Sequence, residues 1–425
     1  MAWFRWARLL LVGLLAAPLS ATAAEIAISC GAVGQELALC RQGAEDWAAR
    51  TGHTVRVVST PASATERLAL YQQLLAARAD DVDVFQIDVI WPGILADHLV
   101  DLSAAVDAES LAAHFPVTIT AGTVEGRLVA MPWFTDAGLL YYRADLLQQY
   151  DAPVPATWEE LTATAARIQA AERAAGKDGM WGYVWQGRAY EGLTCNALEW
   201  IASSGGGAII DVEGNVTIDN PRAAAALDRA AGWVDTITPK GVLNYQEEDA
   251  RALFQSGNAV FMRNWPYAWA LANAPDSPVR GAVGIAPLPR AKDAAGDVQG
   301  GVLGGQQLAV SRYSQNREAA IDLVRHLTGI AEQKWRAVAG AFHPTIQALY
   351  DDPEVLAANP FFADLQPVFA RAVARPSRTT GQRYNRVSTA FWNAAHGVLE
   401  GRTDGADAVA RLSRSLERLR RGGRW

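Results

Sequence analysis

The chain reads as an α/β protein of two lobes, each a mostly parallel sheet flanked by helices, with a ligand cleft at the hinge between them. Three observations predict this. Short β-branched and aromatic runs alternate with segments of helical period from residue 25 onward, the signature of βαβ units. The pattern changes character around 127–143 and again near 287–310, so the chain crosses between lobes more than once. Several strand-like runs end directly in acids, aromatics and glycines, and in open α/β sheets ligands sit beyond the carboxyl ends of strands.

Taken in order, residues 1–24 are a secretory leader. Arg5 and Arg8 precede the short apolar run 9–17, and Ala21-Thr22-Ala23 is a small-residue cleavage site. The run is shorter than the ~20 residues needed to span a bilayer. Ala27-Ile28-Ser29-Cys30 fits a lipid-attachment pattern poorly, so a free exported protein is expected. A strand at 25–29, a helix at 34–50 ended by Gly52, a strand at 54–59 and a helix at 64–78 follow. Val82, Val84, Phe85 and Ile87 then make a buried strand, with Asp88, Trp91, Pro92 and Gly93 directly behind it.

The apolar runs 128–132 and 138–142, separated by Trp133-Phe134-Thr135-Asp136-Ala137, mark the crossover. The second lobe opens with Thr157-Trp158-Glu159-Glu160, a capping box. Helix 161–174, strand 180–185, helix 191–203, helix 221–236, helix 246–255 and strand 259–262 follow, and Asn264-Trp265-Pro266-Tyr267 opens another helix. A strand at 284–287 leaves the lobe, Gly304-Gly305 leads into a strand, and the chain beyond Asn316 is almost entirely helical. This divides the chain into lobe one, 25–134 plus 287–339, and lobe two, 135–286 plus 340–425.

The totals agree with an exported binding protein. Removing Arg5 and Arg8 from the 38 basic residues leaves 36 against 45 acidic, which argues against a polyanionic partner. The basic last turn (Arg418, Arg420, Arg421, Arg424) suits a helix C-terminus. Of three cysteines, Cys30 and Cys40 can pair in an oxidising compartment and fasten the first strand to the first helix. The six histidines are scattered and no cysteine–histidine spacing resembles a metal site, so neither metal nor cofactor is expected.

A sugar needs strong acceptors for its hydroxyls and a flat apolar surface for its C–H faces. Asp88, Glu36 in the first turn after the first strand, and Asp136 on the crossover are candidate acceptors. Arg67 and the loop guanidiniums of Arg375 and Arg378 can fork two hydroxyls. Trp265, directly after a strand, is the candidate platform, with Tyr267, Trp185 and Glu248 as further candidates. The bland readings are helix-start carboxylates, core aromatics and solvated arginines. No Gly-x-Ser-x-Gly elbow, His-Glu-x-x-His or phosphate loop occurs. A glycosidase using Asp88 and Asp136 remains the alternative, because the same acids serve a non-catalytic sugar site.

Three stretches carry a family resemblance: 69–73 with 83–93, 133–143 (Trp133-Phe134-Thr135-Asp136-Ala137-Gly138) and 254–267 (Phe254-Gln255-Ser256-Gly257). The chain resembles the solute-binding proteins of ABC sugar importers, in the maltose-binding-like group and nearest to trehalose/maltose-binding proteins. The resemblance implies a two-lobed periplasmic-binding-protein fold of type II that closes on an α-linked disaccharide. The implied partners are a membrane permease pair and, through it, an ATPase. It places sugar contacts at Glu36, Arg67, Asp88, Asp136, Trp265, Gly304, Gly305 and Arg378. The resemblance implies a monomer with no enzymatic activity; the missing lipid-attachment cysteine that many members of the group use is a departure from it and shifts the expected location to free periplasm.

Overall fold

The computed structural model describes residues 23–425 apart from 32, 295–299, 363–364, 366–367, 370, 421 and 423. The leader read at 1–24 therefore lies, but for its last two residues, outside the described residues. Eleven strands are present among them: β1 (Glu25–Cys30), β2 (Thr54–Ser59), β3 (Val84–Asp88), β4 (Thr123–Val124), β5 (Arg127–Leu128), β6 (Met131–Ala137), β7 (Leu139–Arg143), β8 (Trp181–Val184), β9 (Ala259–Asn264), β10 (Val283–Pro287) and β11 (Leu303–Val310). They form a five-stranded sheet in the order β2-β1-β3-β11-β6, a four-stranded sheet in the order β10-β7-β9-β8, and a small β4-β5 hairpin.

Both large sheets are mixed, where the sequence reading expected mostly parallel ones. β1 runs parallel to β2 and β3, but β11 is antiparallel to both β3 and β6. In the second sheet only β8 and β9 are parallel. The cause is the double crossing. β6 and β7 are separated only by Gly138, so one extended run leaves the first sheet and enters the second. The segment read as a separator, 133–137, is thus most of a strand. β10 and β11 carry the chain back, and β11 enters the first sheet from the opposite direction.

Each sheet packs on its own aromatic core. Trp47, Phe134, Leu323 and Leu327 belong to the first, and Trp158, Trp185, Trp200 and Trp233 to the second. Burying each such side chain contributes roughly 1.5–3 kcal/mol. The capping box at Thr157 forms as read, with Thr157 Oγ1 accepting from the Glu160 amide and the Glu160 carboxylate accepting from the Thr157 amide.

The division at 339 is displaced. Phe342 packs edge-on against Phe134, Thr345 hydrogen-bonds His114 and Tyr350 meets Phe115, so this segment stays with the first sheet. The helices Tyr384–Leu399 and Gly405–Leu419 pack instead on the second core, through Phe391, Trp392, Leu412 and Leu416. Cys30 and Cys40 form a disulfide, and Cys195 is buried and free. Among the described residues, no helix is long and apolar enough to cross a membrane.

Candidate functional site: the interlobe cleft

The cleft is built from the ends of strands and the starts of helices. β3 ends at Asp88, which is buried. One of its oxygens accepts from the Ile90 amide (3.2 Å) and from the Arg375 guanidinium (2.9 Å). The helix Glu36–Thr51 begins at Glu36, whose carboxylate accepts from Gln86 Nε2 at 3.0 Å. Burial raises the Glu36 pKa above the ordinary carboxylate value, and Arg67 opposes the rise.

Arg67 is 2 % exposed, yet its Nε and Nη1 have no hydrogen-bond partner within the protein. Its guanidinium lies 5.5 Å from the centre of the Trp91 ring. Buried donors are nearly always paired, so orphaned ones facing a cleft mark where a ligand's acceptors belong. Gln306, opposite Asp88 in the strand register, likewise has a buried, unpartnered Oε1.

The crossover and the second lobe supply the opposite wall. Asp136, near the end of β6, is half-buried. Burial, then repulsion from Glu36 and Asp88, hold its pKa well above the usual value. Trp265 follows β9 and is half-buried. The Arg263 guanidinium stacks 3.8 Å from the centre of its ring and is itself held by the buried Glu199 carboxylate. A side chain at Gly304 would press on the Trp265 ring, since an added Cβ would lie 3.0 Å from Cζ3. Gly305, at φ +121°, lets β11 approach β6 so closely that a Cβ would lie 2.4 Å from the Phe134 carbonyl oxygen.

The structure therefore brings Glu36, Arg67, Asp88, Asp136, Trp265, Tyr267, Gly304 and Gly305 to one cavity. Three candidates from the sequence lie elsewhere. Arg378 lines a separate cavity of about 690 Å³ with Val89, Gly93 and Arg383. It is Arg375, three residues earlier, that reaches the cleft. Trp185 is fully buried in the second core, edge-on to Trp200 at 4.8 Å. Glu248 accepts from the Tyr267 hydroxyl (2.7 Å) and from Arg251, and its neighbour Glu247 lines the cleft.

Sequence reading offered Arg375 and Arg378 together without choosing between them, and it missed Glu191, Glu247 and Gln306. Glu191 starts the helix Glu191–Ala202 and had a usable signal, the same acid-in-first-turn pattern that singled out Glu36. Its carboxylate accepts from Arg375, Tyr384 and Ser388 (2.7 Å for Ser388). Burial raises its pKa, and Arg375 opposes this. Arg375 thus bridges Asp88 of the first sheet and Glu191 of the second lobe, 2.9 Å from each.

The space left between these groups is about 60 Å³, far below the roughly 300 Å³ where small-molecule pockets begin. The lobes are drawn together around this space. Direct ties hold this closure: Arg375–Asp88, the Glu191 amide donating to Thr65 (3.1 Å), Arg188–Glu66 (3.1 Å), and Tyr267 lying against Gly34.

The profile of the bacterial extracellular solute-binding protein family matches residues 35–334. A probable ABC transporter-binding protein of Deinococcus radiodurans is 49 % identical over 410 residues, 96 % of either chain. T. maritima MalE3, solved with maltose bound, is 41 % identical with a TM-score of 0.88, covering 93 % of this chain and all of that one. A solute-binding protein of Agrobacterium vitis with bound D-mannitol shares the fold at 21 % identity and a TM-score of 0.80, over 94 % of this chain and 99 % of that one. With a fold, a cleft and relatives that agree along most of its length, the chain belongs to the bacterial extracellular solute-binding protein family, in its maltose-binding-like group.

Proposed function

We propose that this protein is the sugar-binding component of an ABC importer, exported to the periplasm. In this reading it closes on an α-linked disaccharide, trehalose first and maltose next, and delivers it to a membrane permease coupled to an ATPase. The observation that carries the reading is the composition of the cleft. Five carboxylates (Glu36, Asp88, Asp136, Glu191 and Glu247), two guanidiniums (Arg67 and Arg375) and one tryptophan ring (Trp265) from both lobes line a single cavity. The maltose-bound relative at 41 % identity supports the same class of ligand.

Glu36, Asp88 and Asp136 accept hydroxyl protons, while Arg67 and Arg375 donate to hydroxyl and ring oxygens. Trp265 offers an apolar face to a pyranose ring and is fixed from behind by Arg263. Charge-assisted hydrogen bonds in a closed cleft are worth roughly 1.5–3 kcal/mol each. Because the groups come from both lobes, only the closed form makes all the contacts, so the sugar shifts the open–closed equilibrium by its differential affinity.

Incubation with trehalose or maltose followed by product analysis tests the reading. A carrier returns the disaccharide intact at one molecule per protein. Release of glucose would establish a glycosidase and overturn the proposal.

A further inference from the structure

We propose that the Cys30–Cys40 disulfide is a positioning element of the sugar cleft, holding the turn that carries Glu36 in the geometry that meets the ligand. The proposal rests on the sugar-cleft reading above. Cys30 is the last residue of β1, and Cys40 lies one helical turn beyond Glu36; both are fully buried. The bond spans ten residues and encloses the turn between strand and helix.

That turn is otherwise weakly held. The helix Glu36–Thr51 starts without a side-chain cap, since Gln35 makes no capping hydrogen bond. An uncapped helix end leaves its first amides without partners and frays readily. The turn carries two glycines, each required by a close approach. At Gly31 a Cβ would lie 2.3 Å from both Arg67 Nη1 and Glu36 Oε2. Gly34, at φ +54°, lies under the Tyr267 ring of the second lobe, with a Cβ position 2.4 Å from Cδ2. Glycine makes both contacts possible and makes the turn soft.

The non-covalent anchors converge on one side chain. Gln86 accepts from the Gly31 amide (2.6 Å) and donates to Glu36 (3.0 Å). The Glu36 amide closes the turn on the Val33 carbonyl at 3.0 Å. The disulfide ties both ends of this segment and so restrains the uncapped helix start covalently. A loop this short yields less global stabilisation than a long one, so the bond's effect concentrates on the turn, Glu36 and the Gly34–Tyr267 contact.

The test compares the oxidised mature protein with Cys30→Ser/Cys40→Ser, each with and without Glu36→Gln. Calorimetric affinity for trehalose and maltose at 25 °C is measured together with amide hydrogen exchange in sugar-free protein. Removing the disulfide is expected to weaken binding about ten-fold, an amount within the worth of one charge-assisted hydrogen bond. Glu36→Gln should cost about ten-fold with the disulfide and markedly less without it. Exchange should quicken at Gly31 and at 33–37 while the core of the first sheet stays protected. If the serine pair does not fold, Cys30→Ala/Cys40→Ala, which places no hydroxyl in these fully buried positions, gives the same comparison. Equal affinity, additive effects of the two changes, or unchanged exchange in the turn overturns the proposal. Oxidised protein that binds no sugar overturns the sugar reading itself, and this proposal with it.

Discussion

Asp88 and Arg375 show how closely the site's chemistry depends on single side chains. The Asp88 carboxylate is held by the Ile90 amide and by Arg375, which leaves its second oxygen for a ligand. Asp88→Ala is expected to weaken disaccharide binding ten-fold or more by calorimetry. Arg375→Ala should weaken it at least as much, whereas Arg378→Ala should leave it within two-fold. Equal losses for Arg375→Ala and Arg378→Ala would contradict the site described above. The sequence places both guanidiniums in one loop, and nothing in that loop's composition says which turns inward. Glu247 and Glu248 pose the same problem at adjacent positions of a helix start. Trp185 was indistinguishable from a platform tryptophan because its ring partner, Trp200, lies on a different element, the helix Glu191–Ala202.

Glu332 gives a pH prediction at the same scale. Burial raises its pKa from 4.5 to about 7, with Arg336 opposing. A carboxylate whose folded value exceeds its unfolded value binds more protons when folded, so stability falls as pH rises through that window. Its ionised form therefore destabilises the protein above about pH 7 and has no effect below about pH 4.5. Glu332→Gln should raise the thermal midpoint at pH 8 and leave it unchanged at pH 4; an equal shift at both pH values would remove the titration as its cause.

At the scale of elements, strand and helix identities were legible because each carries its own period. The capping box at Thr157, the buried run of β3 and the Gly257 stop before β9 all lay where local chemistry put them. Strand direction was not legible. The residues of β11 are equally compatible with parallel or antiparallel neighbours, and only the route of the chain through the other lobe decides. The same route turned 133–137 from an expected separator into part of β6. Gly305 marks where β11 presses on β6. Gly305→Ala should lower the thermal midpoint by several degrees, because the left-handed backbone and the 2.4 Å approach to the Phe134 oxygen both disfavour a side chain. A midpoint within one degree of wild type would show that the strands can separate without cost.

For the whole molecule, two lobes and repeated crossings followed from where the sequence pattern changed. The assignment of the helical tail did not, since helices 317–340 and 384–419 have similar amphipathic patterns and differ only in the sheet they cover. Closure emerges at this scale as well. The exposed Arg188–Glu66 pair is of a kind worth little. The buried Asp88–Arg375–Glu191 bridge and the Tyr267–Gly34 contact are what a sugar would reinforce.

Titration calorimetry across trehalose, maltose and mannitol decides whether this cleft binds an α-linked disaccharide between the lobes. A single saturable site, one disaccharide per protein, is expected. Trehalose or maltose should bind more tightly than mannitol, and Trp265→Ala should weaken that binding. Absence of binding to either disaccharide, or binding that survives Trp265→Ala and Asp88→Ala unchanged, would contradict it.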